Sequence, residues 1–262
     1  MIESFVLGVV QGIAEWLPVS SEGIITLIEV NFFGKVNVVQ IVQIALFLHL
    51  GTFLAALVYF RKKVIDIFKN IFQYKKADKK EKKLINFLFI ATVISGGVGL
   101  LILKGLKHFK FVVSSTSEIT LGIGLLLLIT AFLQIKKKQE DNRGVEDLNL
   151  WDSISLGVVQ GFAALPGLSR SGLTVSTLLF RKVNEKDSLK LSFLLSLPIV
   201  LGGNILLNSE YFNFSLDSLI SLSASFLFGL LTIHYLLKLA KKINFGWFVF
   251  AFGALMIIAS FI

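Results

Sequence analysis

The stretch Leu7-Gly-Val-Val-Gln11-Gly-Ile-Ala-Glu15-Trp-Leu-Pro18-Val-Ser20-Ser21-Glu22-Gly23 decides the fold, because it returns 149 residues later. The second copy reads Leu156-Gly-Val-Val-Gln160-Gly-Phe-Ala-Ala-Leu-Pro166-Gly-Leu-Ser169-Arg170-Ser171-Gly172, with nine of 17 positions identical and six of them consecutive. Each copy is a short apolar run, Glu3–Leu17 or Ser153–Leu165, that ends at a proline followed by serines. Fifteen helical residues reach only about 22 Å, short of a hydrocarbon core of about 30 Å. The residue before proline avoids the helical region, and serine favours a new helix start. Two half-length helices joined by a polar break describe a re-entrant hairpin, whose non-helical backbone is tolerated at membrane depth only where it lines a cavity.

The rest of the chain fits a membrane setting. Of 262 residues, 55% are hydrophobic and 16% charged, with 25 Phe and three Pro. Soluble domains carry about 25% charge. These values exclude a soluble enzyme, a disordered chain and a nucleic-acid binder. Cysteine is absent, so disulfides and thiolate metal sites are excluded. No cleavable signal is expected, since Glu3 precedes any base. Six segments are long and apolar enough to span: Val38–Phe60, Leu84–Leu103, Glu118–Ile135, Leu189–Leu207, Leu216–Leu237 and Phe245–Ile262. They lack strand alternation and read as helices.

Basic residues set the sidedness. The loops Arg61–Lys83, Lys136–Arg143, Arg181–Lys190 and Lys238–Lys242 hold 21 of the 26 Lys and Arg. If each hairpin returns to its own side, all four loops are cytoplasmic and both termini lie outside. Three spans follow each hairpin. Three is odd, so the second half enters from the opposite face. The expectation is an all-α integral membrane protein, one domain over residues 1–262. It has six transmembrane helices and two re-entrant hairpins in an inverted-topology repeat, with halves of about 1–135 and 150–262. Such repeats place their site near the midplane, where the broken helices meet.

The polar residues at the two breaks carry the chemistry. The first break has Gln11, Glu15, Ser20, Ser21 and Glu22; the second has Gln160, Ser169, Arg170, Ser171 and Thr174. Arg170 is the only Arg or Lys between Arg143 and Arg181. An intramembrane charge faces a wet cavity or a partner. Gln11 and Glu15, four apart, share a helix face. The repeat brings Glu15 and Arg170 toward one place, either as an ion pair that fastens the halves or as an anion site. The second reading fits a guanidinium fork and two helix N-termini aimed at a phosphate. At least two of the four serines are expected simply to cap helices, and Glu22 suits a first helical turn.

At these breaks the sequence resembles the undecaprenyl-pyrophosphate phosphatase family of the bacitracin-resistance type, and Leu48-His49-Leu-Gly51-Thr52 and Leu191-Ser-Phe-Leu-Leu-Ser-Leu-Pro198 also look like it. The resemblance covers essentially the whole chain. It implies a plasma-membrane enzyme that removes one phosphate from a polyprenyl diphosphate lipid, in peptidoglycan precursor recycling, with a divalent cation such as Mg²⁺ or Ca²⁺. By the same resemblance Gln11 and Glu15 form the (E/Q)xxxE motif, Ser21 is a proposed nucleophile and Arg170 binds phosphate. Family members commonly carry histidine directly after the glycine of the serine motif, where this chain has Ile24, and a small polar residue where it has Glu22.

The expected roles follow. Glu15, Ser21, Arg170 and His49 are the catalytic candidates, with His49 standing in for the absent family histidine; the alternative for His49 is a histidine bonded to a backbone carbonyl. Gln11, Ser20, Ser169, Ser171, Gly172 and Thr174 would contact substrate. Any metal would be held jointly by Glu15, Gln11, water and substrate phosphates, since one carboxylate makes a poor Mg²⁺ cage. A phosphoserine intermediate and direct attack by water both remain open, as does a homodimer. The rival function is a polyprenyl-phosphate flippase or secondary transporter, for which inverted repeats with broken helices are a known design.

Overall fold

The computed structural model describes residues 1–17, 20–34, 37–108, 143–164, 168–208 and 215–239, with isolated positions in 121–132 and 247–258. The expected spans Glu118–Ile135 and Phe245–Ile262, the loop at 136–142 and both motif prolines lie wholly or largely outside them. The described residues form nine helices: α1 (Ile2–Ala14), α2 (Ser21–Phe33), α3 (Val38–Tyr59), α4 (Arg61–Phe72), α5 (Lys79–His108), α6 (Leu150–Gly161), α7 (Arg170–Phe180), α8 (Glu185–Leu207) and α9 (Leu216–Leu239). A 3-10 turn over Phe162–Ala164 follows α6. No strand occurs among the described residues, only an isolated bridge from Arg143 to Val183.

Among the described residues four helices are long and apolar enough to cross a membrane: Gln40–Tyr59, Lys79–Gly105, Lys186–Leu207 and Leu216–Lys238. Their outward faces carry Phe89, Leu101, Leu206 and Leu231, exposed in the isolated molecule. The helix α1 is apolar but shorter, and α2, α6 and α7 are likewise only 11–13 residues long. The basic segment 61–83, read as a loop, contains the separate helix α4, and α5 starts at Lys79 rather than at the apolar Leu84.

Helix starts follow side-chain chemistry. Ser20 and Ser169 cap α2 and α7 in the same way, each Oγ accepting from the backbone N–H three residues on, at 3.1 Å in both cases. Asn149 and Asp152 cap α6 reciprocally, Asp152 N–H to Asn149 Oδ1 at 3.2 Å and Asn149 N–H to Asp152 Oδ2 at 2.8 Å. The end of α2 is set by Gly34, whose φ of 65° suits a left-handed cap without a Cβ penalty.

The two short first helices pack by one rule on different partners. Gly8 and Gly12 of α1 lie directly against α9: a Cβ on Gly12 would stand 2.7 Å from Gly229 N and 2.8 Å from Ser225 O. Gly157 and Gly161 of α6 lie the same way against α5, at Ala91, Ile94 and Val98. Glycine lets two backbones approach, the device of small-residue membrane interfaces. Thus α1 lies on α9, and α6 lies on α5.

Polar contacts fix the ends. The Met1 ammonium pairs with Asp217 at 2.7 Å, placing the start of α1 beside the start of α9. The start of α6 is held at the end of α7, just before α8 begins. There Asp152 accepts from Arg143 Nη2 and Arg181 Nε, both at 2.6 Å. Thus α1 and α6 enter from opposite ends of the bundle. Between them α3 is stitched to its neighbours through its backbone. Ser225 Oγ and Asn204 Nδ2 donate to Leu48 O and Leu46 O, each at 2.8 Å, and Asn208 Nδ2 donates to Gln43 O at 3.1 Å. Trp16, Phe193, Leu197 and Ile233 form the apolar cluster just beyond the end of α1.

Candidate active site

The residue that ends α1 is Glu15, and the 13 residues of α1 carry it about 20 Å inward. It is buried, and four side chains from four elements converge on its carboxylate. Gln11 Nε2 donates to Oε2 at 2.8 Å, from one helical turn back. Ser21 Oγ donates to the same oxygen at 2.9 Å, from the first position of α2. His49 Nε2 stands 3.1 Å from it, from the middle of α3. Arg170 Nη2, from the first position of α7, forms an ion pair with Oε1. The sequence-separated Glu15 and Arg170 are therefore direct partners, joining the end of α1 to the start of α7.

The tautomer of His49 follows from its second contact. Nδ1 lies 2.5 Å from Ala45 O, an acceptor only, so Nδ1 carries a proton. Nε2 is thereby turned on the Glu15 carboxylate. His49 therefore bonds a backbone carbonyl with one ring nitrogen and faces the candidate site with the other.

The second break supplies both scaffold and charge. Ser169 Oγ caps α7 and lies 3.2 Å from Ser171 Oγ. Ser171 Oγ in turn donates to Leu17 O at 2.7 Å, latching α7 to the residues just past α1. Thr174 is further back, its Oγ1 bonded to Arg170 O at 2.9 Å and 2.6 Å from Ser192 Oγ on α8. The Gly172 N–H is taken by the cap. Of the expected contact residues, Ser20 and Ser171 line the cavity, whereas Gln11, Ser169, Gly172 and Thr174 support those that do.

A small, partly open polar cavity lies between Glu15, Ser20, Ser21, Glu22, His49, Ala163, Leu168, Arg170 and Ser171. Glu22 sits in the first turn of α2, where its charge complements the helix dipole, and also faces this space. A buried carboxylate ringed by hydroxyl, imidazole and guanidinium, open to a small polar chamber, can deprotonate a hydroxyl or water and hold an anion beside it.

Gln160, the repeat partner of Gln11, donates instead to Ser95 Oγ on α5 at 3.0 Å. Position 164 holds alanine where the first copy holds Glu15, so the two copies place their polar residues differently. Residues 4–257 match the model for bacitracin resistance protein BacA. The chain belongs to this family. It is 39% identical to an undecaprenyl-diphosphatase of Methanococcoides burtonii over 99% of this chain and 98% of that protein. It is 35% identical to one of Methanothrix thermoacetophila over 96% and 94%. An undecaprenyl-diphosphatase 2 of Halalkalibacterium halodurans is 34% identical over all of this chain and 95% of its own. BacA family membership and these apolar helices make this a multi-pass membrane protein.

Sequence reasoning missed the support behind the site. Asp152, Arg143 and Arg181 draw the 143–149 segment and the α7–α8 turn together. Their signal was the choice of arginine over lysine at two positions flanking an acid that precedes the second hairpin.

Proposed function

We propose that this chain hydrolyses undecaprenyl diphosphate, or a similar polyprenyl diphosphate, to the monophosphate and inorganic phosphate. The observation that carries the reading is the convergence of Ser21, His49 and Arg170 on Glu15 at a polar cavity built by both hairpins. The names of relatives matched along nearly their whole length agree with it. Phosphoryl transfer asks mainly for positioning and charge neutralisation, and this cavity has groups for both.

In the proposed mechanism Arg170 and the N–H groups at the start of α2 and α7 bind the diphosphate. Ser21 Oγ attacks the terminal phosphorus as its proton passes to Glu15. The bond from that phosphorus to the bridging oxygen breaks, and the polyprenyl monophosphate leaves. His49 holds the charge of Glu15 in place and gives a proton toward the leaving oxygen. The proton on Glu15 passes across the 3.1 Å contact to His49, restoring both groups. Water then attacks the phosphoserine and gives its proton to Glu15, the bond from phosphorus to Ser21 Oγ breaks, that oxygen takes the proton back from Glu15, and inorganic phosphate departs. Ser21 is favoured over direct attack by water because its hydroxyl already donates to the base. Rapid quench with substrate labelled in the terminal phosphate would trap the labelled serine.

A divalent cation belongs to the proposal in a limited way. Among the described residues no three acidic or histidine side chains cluster as metal ligands. Gln11 Oε1, however, is buried without a partner one turn from Glu15, and the carboxylate of Glu22 faces the same cavity. Gln11 and Glu15 would hold a Mg²⁺ or Ca²⁺ that takes its other ligands from water and the diphosphate. When bound, the cation neutralises charge on the phosphate oxygens.

The architecture we propose has six spans, two re-entrant hairpins and two inverted halves, with the 61–83 segment cytoplasmic and the termini outside, in the plasma membrane. Opposite entry of α1 and α6 supports it. A homodimer remains to be tested by crosslinking in native membranes. Phosphate release from undecaprenyl diphosphate by purified protein, with and without EDTA, tests the function. Release that EDTA abolishes and Mg²⁺ restores is expected. A folded protein that moves the lipid between leaflets without releasing phosphate would replace this reading with the flippase.

A further inference from the structure

The helix α4 has no part in the site, and its surface is unusual. Its sequence is Arg61-Lys-Lys-Val-Ile-Asp-Ile-Phe-Lys-Asn-Ile-Phe72. One flank faces the protein: Val64 is buried, and Ile67 packs against two apolar clusters. Ile65, Phe68 and Phe72, spaced three and four apart, share another face and are 63%, 58% and 86% exposed. Lys62 and Lys69, seven apart, run along the border of that apolar stripe. Past the helix come Lys75, Lys76 and Lys79, all exposed.

Acid does not balance these bases. Glu81 is engaged by Lys63 Nζ at 2.6 Å and Asn70 Nδ2 at 3.4 Å, and Asp78 caps the start of α5. Asp66 is the one carboxylate on α4 itself. Lys62, Lys69, Lys75, Lys76 and Lys79 form no ion pair among the described residues.

The position of α4 is fixed by its neighbours. It starts one residue after α3, whose apolar segment ends at Tyr59, and it is followed at Lys79 by the next apolar helix. Both ends of the connection are therefore held at one membrane face. A helix of about 18 Å has to lie along that face or rise into water. An apolar stripe bordered by lysines favours lying in the interface, with aromatic and aliphatic side chains at the headgroup boundary and cations at lipid phosphates.

We propose that α4 is an interfacial helix that binds anionic phospholipid of the surrounding membrane. Ile65, Phe68 and Phe72 enter the acyl boundary, while Lys62, Lys69 and the lysines of 75–79 contact the phosphates. The inference is independent of the diphosphatase reading, since none of these residues touches the cavity. An acidic protein or a second copy of the chain would be a different occupant of the stripe.

The absence of cysteine makes the test direct. Single substitutions Ile65→Cys, Phe68→Cys, Lys69→Cys and Phe72→Cys are each spin-labelled in proteoliposomes of phosphatidylcholine with phosphatidylglycerol. Labels at 65, 68 and 72 are expected to collide with oxygen several-fold more than with a nickel chelate, and the label at 69 to show the reverse. Energy transfer from a probe at 69 to headgroup-labelled phosphatidylglycerol is expected to exceed that to labelled phosphatidylcholine. Enrichment is on the order of fivefold for each cation in contact. Replacing Lys62, Lys75 and Lys76 by Gln should erase most of it. Nickel-accessible labels at 68 and 72 overturn the proposal. So do labels shielded from both reagents with spin–spin broadening, which indicate a protein occupant, and equal transfer to the two lipids.

Discussion

The Nε2 atom of His49, in the middle of α3, lies 3.1 Å from Oε2 of Glu15 at the end of α1. The imidazole thus reaches the carboxylate from a different element than the histidine of related motifs, whose position is Ile24 here. If His49 serves in catalysis, His49→Ala lowers kcat on the order of 10²-fold to 10³-fold with KM little changed. Gln at the same position keeps the contact but not the proton transfer, and should leave kcat low. Turnover of undecaprenyl diphosphate by both variants checks this; wild-type rates would confine His49 to packing.

The glycines of α1 make a structural prediction. A Cβ at Gly12 meets the backbone of α9 at 2.7–2.8 Å, which no side-chain rotation relieves. Gly12→Val should cost about 1–3 kcal/mol through overpacking and displace Glu15 from its partners. Gly96→Ala, on a helix face with nothing within 4 Å, should be neutral. Thermal melting of the two variants in detergent separates them.

Much of this arrangement could be read before any coordinates. The 149-residue offset paired Ser20 with Ser169 and Gly23 with Gly172, and these pairs form the same cap. An isolated arginine among apolar segments required a partner, the repeat brought Glu15 toward it, and the two form an ion pair. Periodicity could not separate α4 from its flanking lysines, because a short helix whose apolar face is split between protein and exterior looks like a basic loop. Nor could it show which glycine rows meet which helices, since α1 and α6 share a motif yet choose partners by tertiary position. The asymmetry between Gln11 and Gln160 follows from one residue, Glu15 against Ala164.

At the loop end of α6, outside the spans, Asp152 yields a pH prediction. Burial opposes its ionisation, but hydrogen bonds from Arg143 and Arg181 prevail and hold its carboxyl below the usual range. Its folded pKa is depressed, so its contribution is complete above the unfolded value of about 3.9 and is lost as pH falls through the folded value. The melting temperature should be insensitive to this group from pH 8 to about 5. Asp152→Asn should lower stability by about 3 kcal/mol at neutral pH, by leaving two guanidiniums facing a neutral amide. A variant as stable as wild type at pH 7 would contradict the role of this clamp.

Ser21 should be distinguishable from its neighbour. Ser20 is committed to its cap, whereas Ser21 donates to Glu15. Ser20→Ala should cost about 1 kcal/mol of stability with modest loss of rate. Ser21→Ala should leave melting nearly unchanged and abolish labelled phospho-enzyme in rapid quench. Labelling that persists in Ser21→Ala would move the nucleophile elsewhere.

The most direct measurement is the initial rate of phosphate release from undecaprenyl diphosphate by wild type and Arg170→Lys, side by side, with melting curves for both. Lysine keeps the charge opposite Glu15 but loses the planar fork for a phosphate. The expected result is rapid release by wild type and a fall of at least about tenfold in kcat/KM for Arg170→Lys, with little change in melting. Equal rates, or no release by folded wild type, would contradict a diphosphate site shared by the two hairpins.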